Sequence, residues 1–81
     1  MKVVRWWLDE PALPELRWAR EEEGRAGAVR VVDCDGREHR FPDAEAARSW
    51  LREEEYSLLE DLVEDGELPA DTQPPARWPP G

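Results

Sequence analysis

Ala28-Val29-Arg30-Val31-Val32-Asp33-Cys34-Asp35-Gly36-Arg37-Glu38-His39-Arg40-Phe41 is the stretch that decides the fold. Two strand-like runs flank Asp33–Gly36, whose aspartates and glycine are turn formers. A two-residue turn on Asp35-Gly36 places Arg30, Val32, His39 and Phe41 on one side and splits the valines between faces. A three-residue loop of Cys34, Asp35 and a left-handed Gly36 instead pairs Asp33 with Arg37, Val31 with His39 and Val29 with Phe41. That register collects Val29, Val31, His39 and Phe41 on one face and leaves Arg30, Val32, Glu38 and Arg40 on the other. A one-residue slip moves every side chain to the opposite face, so the apolar pattern selects the register. The three-residue loop is expected.

Upstream, residues 2–8 read as a strand because valine and aromatic side chains favour a pleated, half-buried surface. Val3, Arg5 and Trp7 then share one side, and Val4, Trp6 and Leu8 the other. Pro11 and Pro14 end it, since each fixes φ and lacks an amide donor. Residues 15–21 fit a second strand or a short helix, and Leu16, Trp18 and Ala19 do not decide between them. Gly24 and Gly27 mark a turn.

Downstream, Pro42-Asp43 opens a helix, with Asp43 as N-cap and Glu45 in the first turn where the helix dipole favours an anion. Ala47, Trp50 and Leu51 form an apolar stripe with Ala46 beside them, and Leu58, Leu59, Leu62 and Val63 form another that Tyr56 borders. Arg52-Glu53-Glu54-Glu55 joins the stripes without an apolar member. Either one helix spans 43–64 or two shorter ones meet near Glu55, a bend being the expected form, and Gly66 supplies the stop. Residues 69–81 hold five prolines and no periodicity, so they read as extended or polyproline-like. The expected architecture is α+β: a small antiparallel sheet of about three strands, including the 28–41 hairpin, packed by an acidic helical segment. Residues 1–68 make the single small domain and 69–81 a Pro-rich extended tail.

Charge follows the same division. The 81 residues carry a net charge of −9. Residues 1–42 hold nine acids and eight bases, whereas 43–67 hold ten acids and two bases, net −8. Direct nucleic-acid binding is disfavoured, because it depends on Lys and Arg displacing phosphate counterions. The single Cys34 makes no internal disulfide, Met1–Asp9 is unlike a signal peptide, and no run approaches the roughly 18 apolar residues that span a bilayer. No membrane association and a cytoplasmic location are expected.

Candidate chemistry is thin. Placing Gly36 at position six of a calcium loop puts Val31 first and Pro42 twelfth, and neither supplies the ligand needed there. One Cys and one His are half a zinc site. A Cys34–His39 nucleophile pair needs reach of about 3 Å, but the register puts Cys34 at the loop tip and His39 down the return strand. The carboxylates at 53, 54, 55, 60, 61, 64, 65 and 67 lie mostly off the apolar stripe and read as a solvated face. Pro11-Ala12-Leu13-Pro14 has P-x-x-P spacing with Arg17 out of step. A core this small supplies about 3–5 kcal/mol, which also weighs against a strained catalytic site. No enzymatic activity, cofactor or metal is expected.

What remains is surface. Trp6 and Trp7 point to opposite faces, and the helical segment is expected to cover only one, so the other Trp lies under the tail, under residues 15–21 or against another molecule. Trp78, framed by prolines, either folds back onto the sheet or presents an anchor to a partner. The expected function is an acidic protein-interaction module, an accessory or regulatory subunit docking on a basic protein surface. Its candidate partner-binding residues are Trp6, Glu53, Glu54, Glu60, Asp61, Glu64 and Trp78. The alternative is a nucleic-acid mimic that inhibits a nucleic-acid-binding enzyme, and a homo-oligomer is compatible with either.

Overall fold

The computed structural model describes residues 3–79. Lys2, expected to begin the first strand, and Pro80 and Gly81 of the expected tail lie outside the described residues. The architecture is α+β, with five antiparallel strands and two short helices. Strands β1 (Val3–Asp9), β2 (Trp18–Glu23), β3 (Val29–Asp33) and β4 (Glu38–Phe41) form a meander. Helix α1 (Ala44–Glu53) follows, and strand β5 (Tyr56–Leu58) pairs with β1 at the far edge, giving the order β4-β3-β2-β1-β5. Helix α2 (Leu59–Glu64) comes last.

The hairpin takes the register that its apolar pattern selects. Val29 pairs with Phe41 and Val31 with His39. Gly36 has φ 81°, the left-handed conformation that closes a three-residue loop. Asp33 Oδ1 accepts from the amides of Asp35 and Arg37, both at 3.0 Å, so one carboxylate ties the loop together. Residues 18–23 settle as a strand, with Leu8 opposite Trp18 and Val3 opposite Glu23.

The sheet has five strands rather than about three, and one of the extra two lies inside the segment read as helical. Glu54 and Glu55 end α1, Glu55 at φ 63° turns the chain, and Tyr56–Leu58 joins β1 through Trp7–Leu58 and Asp9–Tyr56 pairing. Three residues are too few to show a two-residue alternation. Strands β4 and β5 sit at opposite edges and run the same way, so their connection must cross the sheet; α1 makes that crossing.

Both faces are consequently covered. Under α1, Trp7, Ala19, Val29 and Val31 pack with Ala47 and Leu51, flanked by Phe41, Trp50, Tyr56 and Leu58. The N-cap is Asp43, whose Oδ1 accepts from the amide of Ala46 at 2.8 Å. On the other face, Leu62 of α2 packs with Leu8 and Trp18, and Trp6, Leu13, Leu59, Leu68 and Trp78 surround them. Gly66, at φ 80°, ends α2 in a Schellman motif: its amide reaches Val63 O at 3.1 Å and that of Glu67 reaches Leu62 O at 2.9 Å.

The tail lies on this second face. Trp78 Nε1 donates to Val32 O at 2.9 Å, and its ring meets Trp6 edge-on at 5.4 Å. Trp6 in turn meets Trp18 edge-on at 5.7 Å, an arrangement favoured by aromatic quadrupoles. The uncovered Trp of the sequence reading is thus under the tail.

Candidate functional site

Two adjacent glutamates of β2 occupy opposite faces of the sheet and are both buried. Glu21, 1% exposed, lies under α1, and Glu22, 6% exposed, lies on the tail side. Glu21 Oε1 accepts from the Trp7 indole at 2.9 Å, while Arg5 reaches Oε2 at 3.4 Å and Arg48 of α1 stands 3.9 Å away. Arg30 donates to Glu22 at 2.8 Å and Arg20 lies 3.1 Å from it. Partnered in this way, the two carboxylates avoid the cost of a lone buried charge. They escaped the sequence reading because consecutive glutamates look like a solvated run. The usable signal was their strand register, which sets Arg5 opposite Glu21.

The consequence is that the cations on and beside the sheet are occupied. Arg5, Arg20, Arg30 and Arg48 pair with Glu21 or Glu22, Arg30 and Arg40 reach Glu38, and Arg17 stands within 3.9 Å of Asp9, Glu15 and Asp35. Among the described residues, by contrast, none of the ten acids from Asp43 to Glu67 forms an ion pair within 4.0 Å.

Those acids face solvent. Glu53 and Glu54 are exposed where α1 turns into β5, and Glu60, Asp61 and Glu64 are exposed on α2, where Leu59 and Leu62 turn toward the sheet. Glu60 and Glu64 are four apart and Asp61 and Glu64 three apart, so they repel along one surface. A cleft of about 190 Å³ between β5 and the end of α2 is lined by Glu10, Arg52, Asp61, Asp65 and Glu67 among others. Burial, then the charge of Glu10 and a hydrogen bond with it, then Asp65, push the Glu67 carboxyl above its ordinary range. The candidate acids thus form a solvent-facing set, whereas Trp6 and Trp78 are half-buried against each other.

The loop that tempts a catalytic reading is engaged in structure. His39 Nε2 lies 3.1 Å from Asp33 Oδ2, and its ring stacks on Trp50 at 4.5 Å. Burial pushes the Cys34 thiol up, with Asp35 and Asp33 acting in the same direction against Arg17. Burial, with Cys34, Asp9 and Asp33, pushes the Tyr56 phenol up to about 12. Among the described residues, no group of three or more His, Cys, Asp and Glu side chains is placed to hold a metal ion, and no helix is long and apolar enough to cross a membrane. No family model, curated protein or solved structure matches the chain.

Proposed function

We propose that this protein is a non-enzymatic interaction module, an accessory or regulatory subunit that docks its acidic helical half on a basic protein surface. One observation carries the reading: the ten acids from Asp43 to Glu67 make no ion pair among the described residues, while the arginines of the sheet are engaged. Carboxylates held close together and left uncompensated repel one another, and a basic surface relieves that repulsion. The same field steers a cationic partner and raises its association rate.

Retention of a partner on the immobilised protein, followed across ionic strength, tests the reading. A bound partner is expected at low salt and is released as salt rises, because screening shortens to about 3 Å near 1 M. Retention indifferent to salt would sink the electrostatic account. Addition of duplex DNA or RNA sorts the kind of surface used: a partner displaced by nucleic acid has its nucleic-acid groove occupied, as a mimic requires. A partner that stays bound has been met on another basic face.

A further inference from the structure

Electrostatic attraction steers association, but affinity in protein interfaces concentrates in a few buried apolar anchors. Trp6 and Trp78 are half-buried against each other, whereas a more exposed apolar surface lies beside the tail. An open groove of about 600 Å³ runs between the β1–β2 connection and the start of the tail, within the size range of ligand clefts. Leu13, Pro14, Leu16 and Leu68 supply its apolar lining, with Glu67 and Thr72 at its rim. Leu13 and Leu68 pack against the second core, so the groove continues that core outward. Leu16 is 45% exposed, one of two large hydrophobic residues so exposed among those described.

The walls are preformed. The Leu13 amide donates to Glu10 O at 3.1 Å and that of Glu15 to Ala12 O at 2.9 Å, closing one wall as consecutive turns. Across the groove, the Thr72 amide and hydroxyl both donate to Pro69 O, at 3.0 and 2.7 Å. A groove held by backbone hydrogen bonds loses little further entropy on being filled.

Charge indicates what fills it. Among the described residues, no basic side chain lines the groove. Asp71 beside Thr72 is exposed, and Glu15, between Pro14 and Leu16, has a 72% exposed side chain that Arg17 approaches only to 3.9 Å. Glu67 crowds Glu10 and Asp65, with which it shares the acidic cleft. The surroundings repel an acidic chain, including a second copy of this protein at net −9, and favour a cationic one.

We infer that this groove seats a large apolar side chain of a basic partner segment, one in which leucine-like residues are flanked by Lys or Arg. The inference rests on the docking function proposed above and names where the partner is gripped.

The test is a titration of the isotope-labelled full-length protein, at low salt, with two synthetic peptides of equal charge. One is a lysine–leucine peptide with leucines at helical spacing; the other carries alanine in place of each leucine. The leucine peptide is expected to bind about tenfold tighter, with amide shifts centred on Leu13, Leu16, Leu68 and Thr72. Leu16→Ser should remove most of that difference and leave the alanine peptide's affinity and the melting temperature unchanged. Thr72→Lys, which sets a cation on the rim, should weaken both peptides by a few fold. Equal affinity for the two peptides, or a leucine advantage that survives Leu16→Ser, overturns the groove while leaving the acidic docking face intact. Failure of both peptides to bind overturns the docking reading as well. Concentration-dependent self-association abolished by Leu16→Ser would assign the groove to a second copy and overturn the inference too.

Discussion

Asp33 shows how much one side chain holds in a chain of this size. Burial pushes its carboxyl up, but hydrogen bonds from His39 and from the amides of Arg37 and Asp35 outweigh that and leave it below the ordinary aspartate range. A carboxylate with a depressed folded pKa contributes stability that is complete above the unfolded value of about 3.9 and is lost as pH falls through the lower folded value. Asp33→Asn is expected to flatten the acid limb of the pH–stability curve below about pH 4 and to cost about 1–2 kcal/mol at pH 7. An acid limb identical to that of the parent would contradict this. Glu55 offers the opposite case. It closes α1 at φ 63°, where glycine is favoured because a side chain meets the backbone. Glu55→Gly should raise stability by about 0.5–1 kcal/mol relative to Glu55→Ala, the alanine variant controlling for the lost charge. Chemical unfolding of the pair decides it; equal midpoints would show that the left-handed turn carries no strain.

At the scale of elements, legibility depended on pattern length. The 28–41 hairpin was readable because alternating valines admit only one register that keeps them on a single face. The N-cap at Asp43 and the stop at Gly66 were readable because each rests on one local hydrogen-bonding rule. Strand β5 was hidden because Tyr56–Leu58 is too short for periodicity and owes its state to β1, whose partner residues lie some fifty positions earlier. Burial of Glu21 and Glu22 was hidden for a related reason, since the arginines that make it tolerable come from three other elements. The tail was undecidable from composition, because the carbonyl that receives Trp78 is 46 residues away. That contact makes the tail a structural strap over the second face. Trp78→Ala should cost about 2–3 kcal/mol, less than a fully buried Trp because the indole is half-buried. The thermal midpoint should fall by roughly 10 °C or more in a domain this small. A midpoint within a degree of the parent's would show that the strap is not part of the cooperative fold.

For the whole molecule, the radius of gyration is 12.3 Å, close to the roughly 12 Å of a compact chain of this length. The tail therefore adds little reach. The arginines on and beside the sheet are paired internally, whereas the acids of α1, α2 and the turns that join and end them make no ion pair among the described residues. Selection for stability alone would favour mixed charge on such a surface, since like charges at helical spacing are mutually destabilising. A docked basic partner relieves that repulsion, as the proposed function requires.

The most direct measurement is a paired capture experiment from source lysate at low salt. The bait is either the parent protein or a variant carrying Glu53→Gln, Glu54→Gln, Glu60→Gln, Asp61→Asn and Glu64→Gln, with the melting temperatures of both recorded. The account predicts a salt-sensitive partner retained by the parent and lost by the variant, with the variant melting at the same temperature or higher because repulsion has been removed. The same partner retained equally by both baits, or a variant that melts well below the parent, would contradict it, since the carboxylates would then serve the fold rather than a partner.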